Sequence, residues 1–215
     1  MSRLVLRPLS ALAALAVTCG LNSAFAQERP WYVTLDAGLS RAGNPDFAGG
    51  RLTTSQGTAV GGAVGRHLGS NWRVEAAVMY RNNGVDSLTS PGFDPRPADA
   101  DWASVFLTVN AFHDFNAFKW GPANVRPYVG LGIGRAQEVD TDLTAGGAPR
   151  EYSGSASGRQ FMAGLRWDYG SPWVADIGLA LTQSGKIRLA PTGVGTAVEA
   201  KYRTTTVAAR LGYRF

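Results

Sequence analysis

From Trp31 onward, stretches in which apolar and polar side chains alternate residue by residue recur eight times, separated by turn-rich segments. A period of two puts each set of side chains on its own face of a strand, so the pattern commits the chain to β-sheet. Predicted strands cover 31–40, 58–68, 72–80, 102–114, 125–136, 159–168, 173–181 and 203–215. They run from 9 to 13 residues, whereas ordinary strands peak near roughly 5–6. A tilted strand crosses a bilayer in roughly 9–11 residues.

The connections point the same way. Their lengths are 17, 3, 21, 10, 22, 4 and 21 residues, long and short in strict alternation. Outer-membrane barrels alternate like this, with short turns in the periplasm and long loops outside. An all-β fold follows: an eight-stranded antiparallel up-and-down transmembrane barrel with both termini at the short-turn end. Composition agrees, because charged residues are 17% and Gly is 27 of 215, while soluble domains carry about 25% and about 7%. No apolar run of 18 residues follows residue 26, so the mature chain has no helical span.

The N-terminus has the anatomy of a secretory signal peptide. Arg3 and Arg7 form a basic region, Leu9 to Val17 is apolar, and Ala24-Phe25-Ala26 is a small-x-small cleavage site. Residues 1–26 are therefore expected to be removed, leaving 27–215 as the barrel domain. A lipidated Cys19 is the rival reading, but Ala16-Val17-Thr18 lacks the Leu such a site needs and leaves Ala-Phe-Ala unexplained. Loss of Arg3 and Arg7 lowers the formal charge from +5 to +3, and loss of Cys19 removes the only thiol.

Strand parity sorts the side chains. In 72–80, Trp72, Val74, Val78 and Tyr80 oppose Arg73 and Glu75; in the last strand, Val207, Leu211, Tyr213 and Phe215 oppose Arg210 and Arg214. An apolar outer face suits lipid. The predicted inward charges are Asp36, Glu75, Asp114, Asp168 and Asp176 with Arg73, Arg126, Arg166, Arg210 and Arg214. Eight strands enclose only enough space for side chains. Such a set must therefore pair into a plug or line a narrow, hydrated ion path. Closure of the ring should put Asp36 and Arg210 at similar depth, with Asp176 approaching from the seventh strand.

Trp31, Trp72, Trp120, Trp167 and Trp173 fall at the short-turn rim and Trp102 at the opposite one. Amphipathic indoles collect at headgroup level, so these six are expected to form membrane girdles.

Three segments carry a family resemblance that covers the mature chain. Arg126-Pro127-Tyr128-Val129-Gly130-Leu131-Gly132-Ile133-Gly134 and Asn110-Ala111-Phe112-His113-Asp114-Phe115 resemble the fifth and fourth strands of the small OmpA/OmpX-type outer-membrane barrels. Leu211-Gly212-Tyr213-Arg214-Phe215 resembles the terminal signal read by the barrel-assembly machinery, with Leu211, Tyr213 and Phe215 as its outward residues. The resemblance implies a Gram-negative outer membrane. It implies no peptidoglycan-binding domain, since the sequence stops at Phe215.

Other chemistries fit poorly. Gly130, Gly132 and Gly134 space as GxGxG with Arg135 where a phosphate loop needs its third Gly. Small inward residues on a barrel strand explain them better. A lipid-A deacylase would want His-x-Ser near a carboxylate, and neither His67 nor His113 supplies it. No cofactor and no metal site is expected. The long loops carry a slight acidic excess, which argues against nucleic acid. Two functions remain expected: a monomeric structural or surface-interaction barrel, or a membrane-active one. The first meets lipopolysaccharide or a host ligand through its four long loops. The second is a narrow pore or, more remotely, a lipid-A-modifying enzyme.

Overall fold

The computed structural model describes residues 30–96, 100–145, 148–192 and 196–215; the expected signal peptide lies outside them. Its strands are β1 (Trp31–Ala42), β2 (Asp46–Phe47), β3 (Gly50–Thr54), β4 (Gln56–Leu68), β5 (Trp72–Leu88), β6 (Asp101–Asp114), β7 (Phe118–Trp120), β8 (Ala123–Ala145), β9 (Ala148–Asp168), β10 (Trp173–Pro191) and β11 (Val198–Arg214). Eight of them close a ring in the order β1, β4, β5, β6, β8, β9, β10, β11 and back to β1, every pairing antiparallel. The amide of Phe215 donates to the Trp31 carbonyl at 2.9 Å, which finishes the seam. A closed ring leaves no edge strand, as a sheet in lipid requires.

The other three strands depart from the expected eight. β2 and β3 form a small hairpin between β1 and β4, with β3 also pairing β5, and β7 pairs β8 after the β6 turn. A larger departure concerns the long connections. Segments 137–158 and 182–202 are strand for most of their length, and 81–101 is strand as far as Leu88. β5 runs on to Leu88, β8 and β9 meet at Ala145 and Ala148, and β10 and β11 pair out to Leu189 and Val198.

Past the membrane belt the polarity of the two faces reverses. Below, Leu35, Val109, Leu131, Ile133 and Leu211 are exposed on the outer face. Above, Leu52, Leu88, Val139, Leu143, Ile187 and Leu189 point inward and are buried with Phe47, Trp102, Phe106, Tyr152 and Tyr202. Asp142, Glu151, Arg188 and Glu199 face out. This is the pattern of a barrel in water, with its apolar side chains in a core. Register shifts fall where the reversal happens: in β8 between Ala136 and Val139, opposite both β6 and β9, and in β10 at Gln183/Lys186 and Ser184/Ala190. An extra residue at a bulge re-aims the strand and restarts the alternation.

Candidate functional site

The lumen is filled in two layers. The layer nearer the termini is ionic, and Arg210 on β11 is at its centre. Asp36 on β1 and Asp176 on β10 are its register partners on either side. Its Nε lies 2.9 Å from Asp36 Oδ1 and 3.8 Å from Asp176 Oδ1, and its Nη1 donates to both oxygens of Glu75 at 3.1 Å. Glu75 comes from β5, across the barrel, and also accepts from Arg73 Nη1 at 2.7 Å and Tyr32 Oη at 2.7 Å. Arg73 Nε in turn donates to Asp114 Oδ1 at 3.0 Å, and Arg166 Nη2 to Asp176 Oδ2 at 3.4 Å. The guanidinium of Arg73 lies over the Phe112 ring at 4.0 Å and the Tyr128 ring at 4.7 Å. A planar guanidinium can serve several carboxylates and stack on rings at once, which suits Arg to this interior.

Three predicted members stand apart. Arg214 and Asp168 form a bidentate pair at the rim, at 2.8 and 2.9 Å, outside the buried group. Arg126 joins no carboxylate among the described residues; its Nη1 donates to the Ser70 carbonyl at 3.3 Å. Its register partner on β9 is Arg166, another cation, and the nearby rim carboxylate of Asp168 is taken by Arg214.

Sequence parity missed three contributors. Tyr32 and Tyr128 are inward phenols; Tyr128 Oη donates to Asp176 Oδ1 at 3.3 Å. Arg81, assigned to a loop from the sequence, crosses the lumen from β5 to Thr206 on β11 (Nε to Oγ1, 2.9 Å) and Thr182 on β10 (Nη2 to Oγ1, 3.3 Å). It is 1% exposed, and no carboxylate lies within 4.0 Å of it among the described residues. A cavity of about 50 Å³ separates it from Asp36, Asp176 and Arg210. The inward alternation of β5 simply continues past Tyr80, a signal hidden by the polar Asn82-Asn83-Gly84 that follows.

The outer layer is the apolar core described above. Trp102 belongs to it rather than to a girdle: it is 1% exposed and stacks on Tyr202, with ring centroids 6.4 Å apart. β6 points its even-numbered side chains inward, from Ser104 and Phe106 down to Asp114, and Trp102 shares that parity. Ser104 and Tyr202 join hydroxyl to hydroxyl beneath it. The other rim is as aromatic as expected. Trp31, Trp72, Trp120 and Trp173 are exposed, with Trp167 against Trp120 and Tyr213 against Trp173. Leu211 and Phe215 also face outward on β11.

The remaining candidates for chemistry are spent on packing. His113 lies between Trp72 and Phe115, and His67 against Tyr32. No group of three metal-ligating side chains occurs among the described residues. Gly130 and Gly132 face inward, where a Cβ would run into Phe112 and Asn110 respectively.

The family model of the outer membrane protein beta-barrel domain matches residues 10–215. Among solved structures, Neisserial surface protein A is 18% identical with a TM-score of 0.55, covering 86% of this chain and 97% of its own. The outer membrane protein OprG of Pseudomonas aeruginosa is 14% identical with a TM-score of 0.59, covering 86% and 96%. No curated protein sequence matches. At such identities the two structures share the fold, and the family model spans the ring, its belt and its lumen. The chain belongs to the outer-membrane β-barrel proteins, whose place is the outer membrane of Gram-negative bacteria.

Proposed function

We propose that this protein is a closed, monomeric barrel that presents a folded head outside the cell and acts by contact rather than by transport. In this reading the signal peptide of residues 1–26 is cleaved, the termini lie in the periplasm, and the end bearing β2 and β3 projects outward. One observation carries the reading. The outer third of the lumen is packed with Trp102, Phe106, Tyr152, Tyr202 and aliphatic side chains instead of water. A conducting path needs polar lining along its whole length, and here charge ends at Arg81. The outer surface of the head keeps charged side chains in solvent, including the exposed Lys186–Glu199 pair.

The test is a comparison of cells with and without the protein in binding to host-cell surfaces, beside conductance of the purified barrel in planar bilayers. Altered binding with electrically silent bilayers is expected. Stepwise single-channel currents from the wild-type protein would overturn the reading in favour of a narrow pore. A mass change in lipid A incubated with the protein would favour a lipid-modifying enzyme.

A further inference from the structure

The outer surface of the barrel is not uniform at the top of its aliphatic belt. On one side, β8, β9 and β10 bear an outward row, Leu131, Phe161 and Leu181, each the register partner of the next. All three are exposed. One step further from the termini, the row they support reads Arg159, Gln183 and Arg203, again in mutual register. Arg41 on β1 flanks it, paired in register with Thr205. Leu131, Phe161, Leu181, Arg159, Gln183 and Arg203 line a cleft of about 810 Å³, beside which Arg41 lies. Adjacent strands lie about 4.8 Å apart, so Arg159 and Arg203 are about 10 Å apart at Cα.

Arg41, Arg159 and Arg203 are exposed, and none lies within 4.0 Å of a carboxylate among the described residues. Most other arginines among the described residues are paired, stacked or hydrogen-bonded, Arg51, Arg96 and Arg188 apart. The opposite wall differs: at the same edge it carries Tyr80 and Asn82 on β5 and Asp101 on β6, with Asn82 Nδ2 donating to Asp101 Oδ2 at 3.1 Å. Positive charge is therefore concentrated on one side, at the upper edge of the exposed aliphatic belt.

We infer that this cleft holds a phosphorylated, multiply acylated lipid of the outer leaflet, its chains along Leu131, Phe161 and Leu181 and its phosphates on Arg159 and Arg203. Gln183 between the two arginines can donate to the same headgroup. Arg41 extends the cationic edge to the β1–β11 seam. Cations at a headgroup surface attract phosphate through their charge, and an aliphatic wall directly beneath them selects an amphiphile over a free anion. The inference deepens the proposed contact function and takes from it only the orientation of the barrel. Binding in micelles does not depend on that orientation, so the two can fail separately.

The test uses the folded barrel in detergent micelles, with lipid A, dephosphorylated lipid A and inorganic phosphate as probes, read by native mass spectrometry. Folding of each variant is checked by heat-modifiable gel mobility. Wild-type protein should retain lipid A, and R159Q/R203Q should retain it about 20-fold less, the scale expected for two cations near a headgroup surface. R159K/R203K keeps both charges and should restore retention. R66Q should change nothing, since Arg66 stacks on Trp31 at the other rim. Undiminished retention by R159Q/R203Q, failure of the lysine pair, or equal retention of dephosphorylated lipid A would each overturn the inference. Displacement by inorganic phosphate at matched concentration would overturn it too, assigning the site to a free anion.

Discussion

Asp36 and Arg210 face each other across the seam that closes the barrel, paired in register and 2.9 Å apart from Oδ1 to Nε. The first and last strands of the ring are thus joined by an ion pair as well as by their backbone ladder. Arg210 also holds Glu75 from the far wall, so one side chain ties three strands together.

Replacing Arg210 with Ala should cost about 3–5 kcal/mol, because it strips Asp36 of its ion-pair partner and leaves it buried beside Glu75, which keeps only Arg73 and Tyr32. Adding Asp36→Asn and Glu75→Gln should recover part of the loss. Asp176→Asn should recover less, since Asp176 is at 3.8 Å and keeps Arg166 and Tyr128. Urea unfolding of the barrel in micelles gives the midpoints; a wild-type midpoint for Arg210→Ala would refute the structural role.

Trp102→Ala should destabilise the head by about 3–5 kcal/mol through the cavity it leaves beside Tyr202. The ionic layer should be spared. Hydrogen exchange should therefore quicken in the outer parts of β8, β9 and β10 while heat-modifiable mobility persists. Uniform exchange along those strands would contradict a separate outer core.

Phe215 closes the backbone ladder against Trp31 and ends the outward row of β11. Deleting it, or making it Glu, should lower folded protein in the outer membrane more than any single head substitution. The measurement is the folded fraction on an unboiled gel; equal levels would show that the terminal aromatic is dispensable.

Cysteine placed at Asp94 should react with an impermeant reagent on intact cells, whereas cysteine at Ser70 or Ser171 should not. Ser70 and Ser171 sit in the two tight turns at the rim of the termini. The reverse labelling pattern would turn the protein upside down in the membrane.

Much of this architecture is legible in the residues. Eight alternating runs predict the eight strands of the ring, and counting five residues in from each end places Asp36 beside Arg210. The upper halves of the strands are harder to read for a physical reason. From Leu35 to Leu211 the apolar set faces lipid, but at Val139, Leu143, Ile187 and Leu189 it faces inward, because the surroundings change from hydrocarbon to water. The bulges at Ala136/Val139 and Gln183/Lys186 also break the count of two. A polar segment with an interrupted period then looks like a loop. Trp102 is lost to the same effect: at a rim an indole suits the headgroups, yet strand parity sends this one inward. Glu75 meets Arg210 only through the curvature of the closed ring, which no reading along one strand supplies.

The reversal of the two faces also divides the molecule by solvent. In the outer half, apolar side chains leave water when the chain folds, so that half carries the heat-capacity change of a soluble domain and loses driving force on cooling. In the lower half the aliphatic side chains pass from one apolar medium into another, and the lumenal ion pairs respond to temperature by different rules. One continuous set of strands therefore has two thermal characters, and chilling an intact membrane should loosen the head while leaving the wall beneath it closed.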